Sequence, residues 1–414
     1  MEKTVKTIVK LLGAALCALL FAVNAVPGMD MVLDLPGDIY VDEAGGAEQL
    51  CGIPAPFSIT DRDGVAVAND LSERLSSAKN GEVKRFSVEL FGITVKTVDV
   101  HVRDDIYVMP CGSSVGISLW CSGALVVGLG NVDDGARRRC PAQEAGIRTG
   151  DAIIAVNGAE VNGINELSAM VKNAGDRACL RIRRSGSEFD CTVYPCIKDG
   201  EALLGAWVRE STAGIGTLTF YTMSSMRFGA LGHAVTDPDA GTVIEAKRGE
   251  LSEASIVGVT HGEQGLPGEV RGTFSAVSKK LGTIESNTKY GVFGKMYAPY
   301  ASALYPEGVA LAYPDEVETG KATLLTGLED GITVEYECEI IKLFEQSASD
   351  GKGMVVKVTD KRLLEHTGGI VQGMSGSPIL QNGKLVGAVT HVFINDPTKG
   401  YGIYAYWMYE HMRG

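Results

Sequence analysis

A serine set between glycines, Gly373-Met374-Ser375-Gly376-Ser377-Pro378, is the stretch of this chain best suited to covalent chemistry. A serine hydroxyl is a weak nucleophile near neutral pH, so it needs a base to take its proton and a group to orient that base. Six histidines are available. His233 stands apart, because it ends an apolar segment between small residues in Gly229-Ala230-Leu231-Gly232-His233-Ala234-Val235-Thr236-Asp237, at a turn from which an imidazole can project into a cleft. His391 closes the extended run after the serine loop and reads as structural, and His261 and His366 sit in polar, turn-like surroundings. His101 lies in amino-terminal strands and His411 three residues from the end. Asp360, after the extended run 354–359, is the candidate acid and gives the chain order His, Asp, Ser. Asp237 competes with it, although an acid four residues from a histidine more often makes a local turn contact.

These groups need elements to hold them. Pro378 opens an extended run, Asn382-Gly383 is a strong two-residue hairpin signal, and residues 384–391 return as a second strand. Ser375 is therefore expected in a β-loop-β setting, unlike the strand-to-helix elbow of α/β-hydrolases. The loop resembles the G-D-S-G-G-P segment of chymotrypsin-like proteases. That resemblance implies an oxyanion hole made by the backbone N–H groups of Gly373 and Ser375. From residue 201 onward, short apolar runs alternate with Gly, Asp and Asn turns, which points to a barrel or sandwich.

Composition narrows the function classes. With 414 residues, two or three domains are expected. Charged residues make up 21%, aromatics 7%, and there are 52 glycines, which suits a turn-rich β protein. The net charge of -13 argues against nucleic acid as a partner. No His/Cys grouping has metal-site spacing and no phosphate or dinucleotide fingerprint occurs, so no metal or cofactor is expected. Of nine cysteines, eight follow the amino-terminal segment, and most are expected as small buried thiols. Residues 1–26 carry Lys3, Lys6 and Lys10 before an apolar run over 11–26, the pattern of a signal peptide or a retained membrane anchor. Residues 27–105 read as an extended stalk and a small β module with alternating Phe86, Val88 and Leu90.

Residues 106–198 resemble a PDZ domain. The match rests on A-G-I-x-x-G-D-x-I-x-x-x-N-G from Ala145 to Gly158 and on a helical pattern over 164–174 with Leu167, Met170 and Val171 on one face. The resemblance implies a groove where a peptide adds as a strand, anchored by backbone amides around Gly116, Ile117, Ser118 and Leu119. Residues 199–414 then hold the peptidase. The expected fold is mainly β with minor α, a PDZ domain followed by a chymotrypsin-like β-barrel serine peptidase domain.

A closer resemblance covers most of the chain. S-T-A-G-I-G-T-L-T-F from Ser211, G-A-L-G-H-A-V-T-D around His233, G-G-I-V-Q-G-M-S-G-S-P-I-L-Q-N-G-K from Gly368 and A-V-T-H-V-F-I-N-D-P-T-K-G-Y-G-I-Y from Ala388 are similar to the stage IV sporulation protein B peptidases. The resemblance implies Ser375 as nucleophile, His233 as base and Asp360 as acid. It also implies export from the forespore into the space between forespore and mother cell, self-cleavage, and cleavage of a membrane-bound regulator of an intramembrane metalloprotease, leading to processing of a late mother-cell sigma factor. The alternative from another class is a catalytically inactive PDZ scaffold or substrate adaptor in the same compartment.

Overall fold

Period-two alternation of apolar residues builds nearly all of this molecule. The computed structural model describes residues 26–42, 48–67, 70–76, 78, 82–103, 105–133, 135, 138–300, 304–329, 332–344 and 351–413. The export or anchor segment expected at the amino terminus lies outside them, save for Val26. No helix among the described residues is long and apolar enough to cross a membrane. The chain divides into two units after Ile106.

The first unit corrects the expected stalk. Helix α1 (Met29–Asp34) and strand β1 (Asp38–Asp42) precede β2 (Phe57–Thr60), helix α2 (Leu71–Ser76), β3 (Val83–Leu90) and β4 (Ile93–Arg103). The sheet order is β1-β4-β3-β2, with β1 parallel to β4 and Val41 opposite Val102. Met29, Val32, Leu50, Phe86, Val88 and Val100 share one core. The amino-terminal part looked like a stalk because its few apolar residues pair with a strand some sixty positions away, a contact that leaves no local period.

In the second unit twelve strand segments close into two rings. The first ring takes in β6 (Ser114–Leu129), β10 (Ala206–Tyr221), β11 (Arg227–Ala230), β12 (Ala246–Glu253), β13 (Lys280–Thr288) and β14 (Gly291–Met296). Antiparallel pairing runs β6-β10-β11-β14-β13-β12 and back to β6. Val115, Ile117 and Leu119 alternate into its core beside Leu218 and Leu251. The second ring holds β16 (Gly320–Glu329), β17 (Ile332–Leu343), β18 (Met354–Val358), β19 (Pro378–Gln381), β20 (Lys384–Phe393) and β21 (Asp396–Tyr404). It closes in the order β16-β17-β18-β21-β20-β19. Strand β5 (Tyr107–Pro110) stitches the rings by pairing with β10 and with β15 (Val309–Leu311), which lies parallel to β20. Closure leaves each barrel without long free edges. The fold is thus mainly β, with two closed six-stranded rings.

The chain path differs from the expected domain boundaries. Strand β5 and the first half of β6, assigned from the sequence to the PDZ domain, belong with the two rings. Only the second half of β6 turns into the PDZ sheet with β7 (Ala152–Val156), β8 (Ala178–Arg184) and β9 (Ser187–Val193), while α3 (Ile164–Ala174) packs Leu167 and Val171 into its core. The chain then re-enters the first ring through β10, so the PDZ domain is an insertion between two ring neighbours. Helix α4 (Lys361–Thr367) precedes the serine loop and α5 (Ala405–Arg413) ends the described chain.

Candidate active site

Ser375 lies in the loop between α4 and β19, and both rings grip that loop. Thr217 of β10 donates its N–H to the Ser375 carbonyl at 3.1 Å and its hydroxyl to the Gly373 carbonyl at 2.8 Å. The Gly376 N–H donates to Val389 of β20 at 2.7 Å. Met374 is buried in the core of the second ring; burying such a side chain stabilises by about 1.5–3 kcal/mol, enough to hold a short loop. Gly376 has φ +94°, and a Cβ there would stand 2.3 Å from the Thr217 oxygen and 2.5 Å from the Leu231 nitrogen. Glycine lets the two rings approach the nucleophile this closely. The hairpin that follows turns through Asn382 (φ 51°) and Gly383 (φ 77°), the positive pair that Asn-Gly supplies.

Between Gly373 and Ser375, Met374 donates its N–H to Val371 at 3.1 Å. The N–H groups of Gly373 and Ser375 donate to no acceptor among the described residues. Two undonated N–H groups, one on each side of a single residue, are what an oxyanion hole requires.

His233 follows β11, the third strand of the first ring, after the positive-φ pair Leu231 and Gly232. Its Nδ1 lies 2.8 Å from the Ala234 carbonyl. A carbonyl can only accept, so Nδ1 carries the proton and Nε2 keeps its lone pair. Burial pushes the imidazole below its ordinary pKa, against the contrary pull of the Ala234 carbonyl. His233 and Ser375 line one cleft of about 870 Å³, one from each ring. The Ser375 hydroxyl donates to the Thr390 carbonyl at 2.7 Å, and the His233 ring bonds to the Ala234 carbonyl instead of to it.

Neither candidate acid orients His233. Asp360 is the N-cap of α4: its carboxylate accepts from the N–H groups of Arg362 and Glu337 at 2.9 and 3.2 Å and from the Arg362 guanidinium at 2.7 Å. It does not line the cleft. The expected role as triad acid is therefore corrected by a physical fact, that its lone pairs already serve a helix end and an arginine. Asp237 is fully buried, pairs with Arg209, and accepts the N–H groups of Asp239 and Ala240, each at 2.9 Å. It shapes the turn after His233.

Two residues of the site escaped the sequence reading. His391, taken as structural, lines the cleft with its ring centroid 4.8 Å from that of His233. Burial first, then the His233 and Lys352 charges, push it down to about 4. Asn287 at the end of β13 accepts the Val235 N–H at 2.8 Å and donates to the carbonyls of Val235 and Ile244 at 2.8 and 2.9 Å. An amide that closes three bonds on the segment leaving His233 braces the base. The sequence signal for His391 was its place two residues past Val389 at the end of the strand that returns along the serine loop. For Asn287 there was none.

The expected peptide-anchoring loop is also corrected. Residues 116–119 lie in the first half of β6 with both edges paired, Ser118 opposite Ala213 on one side and Glu250 on the other. A Cβ at Gly116 would stand 2.3 Å from the Phe274 ring. No peptide can add there. The alternation that suggested a PDZ loop is equally that of a barrel strand. The free edge is elsewhere: residues 206–209 pair with β6 on one side only, beside α3, whose first N–H groups include Ile164 donating to Glu210 at 2.7 Å. Trp207 is exposed on this strand.

Two parts of the chain match known families. Residues 200–409 match the SpoIVB peptidase S55 family, and residues 132–184 match a PDZ domain. Among solved structures, the active form of the Rv3671c protease from M. tuberculosis is 14% identical, covering 49% of this chain and 74% of that one with a TM-score of 0.29. The HtrA-type protease AlgW with a decapeptide is 11% identical, covering 50% of this chain and 53% of that one with a TM-score of 0.28. No curated protein matches the chain.

Proposed function

This chain belongs to the SpoIVB peptidase S55 family, a serine peptidase with a PDZ domain, and from that premise we propose that Ser375 and His233 cleave peptide bonds in a sporulation signal. The observation that carries the residue assignment is their meeting in one cleft from two different rings, beside the undonated N–H groups of Gly373 and Ser375. A substrate N–H that competes for the Thr390 carbonyl releases the Ser375 hydroxyl to turn toward His233. Nε2 then takes the proton as Oγ attacks the carbonyl, and returns it to the leaving amine. Each oxyanion donor contributes on the order of 3–4 kcal/mol to the transition state. The Ala234 carbonyl fixes the tautomer as a triad acid does, but brings no full negative charge to the imidazolium. Turnover is accordingly slow, as suits an enzyme that acts once in a programme.

In the cell the first substrate is the chain itself and the second a membrane-bound regulator of an intramembrane metalloprotease, reached from the space between forespore and mother cell. The groove between residues 206–209 and α3 takes a peptide as an added strand and sets which chain is presented. Membrane attachment rests with the amino-terminal segment. A second reading, a scaffold with an idle β domain, draws on the Ser375 hydroxyl bonded to Thr390. A fluorophosphonate separates the two. The purified chain is expected to label at Ser375 and to cut peptide, and a folded Ser375→Ala protein to do neither. Absence of labelling in the parent chain, or full hydrolysis by Ser375→Ala, decides against the assignment.

A further inference from the structure

We infer that a hairpin of the first ring positions half of the oxyanion hole: the Val270 N–H and the Gly268 carbonyl hold the Gln372–Gly373 peptide so that the Gly373 N–H faces the cleft. This inference rests on the peptidase reading above and names a positioning element of that site.

The hairpin is the long excursion between β12 and β13. Its strands, Ser255–Thr260 and Glu269–Thr273, pair antiparallel in a separate two-stranded sheet. It leaves the first ring and fastens to the second. Gly262 donates its N–H to the Thr367 carbonyl and Gly265 to the Ile394 carbonyl, each at 2.8 Å. Glu269 then lies beside Gln372 as a parallel bridge partner. The Gln372 N–H donates to the Gly268 carbonyl at 2.8 Å, and the Val270 N–H donates to the Gln372 carbonyl at 2.7 Å. Val270 is buried and shares the core of the second ring with Ile370, Val371 and Met374. A Cβ on Gly373 (φ +95°) would stand 2.8 Å from the Val270 Cβ, so hairpin and serine loop touch at the hole itself.

These bonds decide where an N–H points. The 372–373 peptide is trans, and in a trans peptide the carbonyl and the following N–H point opposite ways. The Gln372 carbonyl is turned to the hairpin, so the Gly373 N–H is turned to the other side, where Gln372 and Gly373 line the cleft. The second donor obeys the same rule. The Met374 carbonyl accepts the Ser377 N–H at 2.9 Å, which sets the direction of the Ser375 N–H. Ser377 belongs to the serine loop, whereas Gly268 and Val270 come from the other ring. Glycine at 373 leaves a flip of the 372–373 peptide easy, because positive and negative φ are both open to it. A flipped peptide would place a carbonyl oxygen where the oxyanion must sit. The seated hairpin opposes that flip, and the first ring thus provides the base and also the alignment of one oxyanion donor.

Val270→Pro deletes the donor. The Val270 N–H leaves the hairpin for Gln372, so a proline there breaks no bond of the hairpin's own ladder. In the full chain, kcat for a peptide substrate is expected to fall on the order of 10²-fold, as for loss of one oxyanion donor, with KM little changed. Val270→Ala keeps the N–H, sheds only packing, and is expected to lose far less. Affinity for a peptide boronate, whose tetrahedral adduct occupies the hole, should fall with kcat in Val270→Pro. Uncleaved peptide should bind Ser375→Ala equally well with and without Val270→Pro. A parental kcat in folded Val270→Pro, or equal losses in the two Val270 variants, overturns the inference while the parent's activity keeps the peptidase reading intact. Should Val270→Pro not fold, amide hydrogen exchange in the parent decides. Protection of the Val270 and Gln372 N–H groups comparable with the ring strands supports the seated hairpin, and exchange at the rate of an exposed loop overturns it. If the parent neither cuts peptide nor takes a fluorophosphonate at Ser375, the peptidase reading itself fails and the inference with it.

Discussion

Asp360 shows how one side chain can satisfy a sequence pattern and serve another purpose. Its place between His233 and Ser375 in the chain is what a triad acid would have. Its carboxyl is nevertheless held down to about 2, first by the Arg362 guanidinium and then by the N–H groups of Glu337 and Arg362, against the effect of burial. Because the folded value lies below the ordinary 3.8, its contribution to stability is full above about pH 4 and is lost as pH falls toward 2. Asp360→Ala should therefore lower the unfolding free energy at neutral pH by the cost of a helix cap, about 1 kcal/mol, seen as a lower thermal midpoint, with the deficit shrinking in acid. Asp360→Asn, which keeps a capping oxygen, should turn over peptide within a few-fold of the parent. A loss near 10⁴-fold in a folded Asp360→Asn protein would mean that the carboxylate reaches His233 during turnover. Ser375 and His233, which the structure brings to one cleft, could be singled out because small residues crowd them locally. The sequence also carries a cap signal that went unread, Asp360 ahead of residues 361–367 and the Gly368-Gly369 stop.

At the scale of the element, the segment from His233 to Ala246 is fixed from two directions. Arg209, at the junction of the PDZ edge strand with the first ring, holds Asp237 and Asp239. Asn287 clasps Val235 and Ile244. Asn287→Ala removes three bonds from the stretch that aims the base and leaves the nucleophile loop untouched. Its kcat is expected to fall on the order of 10²-fold with KM little changed, since misplacing a base by about 1 Å has that cost. Asn287→Asp, which keeps the acceptor but loses both donors, should fall between. An unchanged kcat in a folded Asn287→Ala protein would reduce the amide to a packing role. The hairpin at Asn382-Gly383 and helix 164–174 could be read from sequence because their signals are local. Residues 116–119 could not, since a strand edge is free or covered according to partners more than ninety residues away.

Across the whole molecule, composition and turn density were enough to announce a β protein, and short motifs identified its two recognisable parts. How the parts are threaded was hidden. The first ring is written in two pieces, with the start of β6 before the PDZ domain and the rest after it, and nothing in the local pattern of residues 107–121 marks that start, or the stitching strand β5, as barrel. The amino-terminal unit was obscured in the same way, by a parallel pairing of β1 with β4 across the length of the unit.

That threading limits where the enzyme can be trimmed. A backbone nick inside the PDZ domain would not release it; the two fragments would each keep strands of one ring and travel together until denatured. Excising the domain would take two cuts and leave a broken wall beside His233. A matured form that keeps activity after losing mass from its front must therefore begin before Tyr107, the first residue built into the rings. Intact-mass and amino-terminal sequencing of the active, processed protein should place every new start ahead of that residue. An active form starting within residues 122–205 would mean that the first ring can be completed without β6, and would overturn the closure described here.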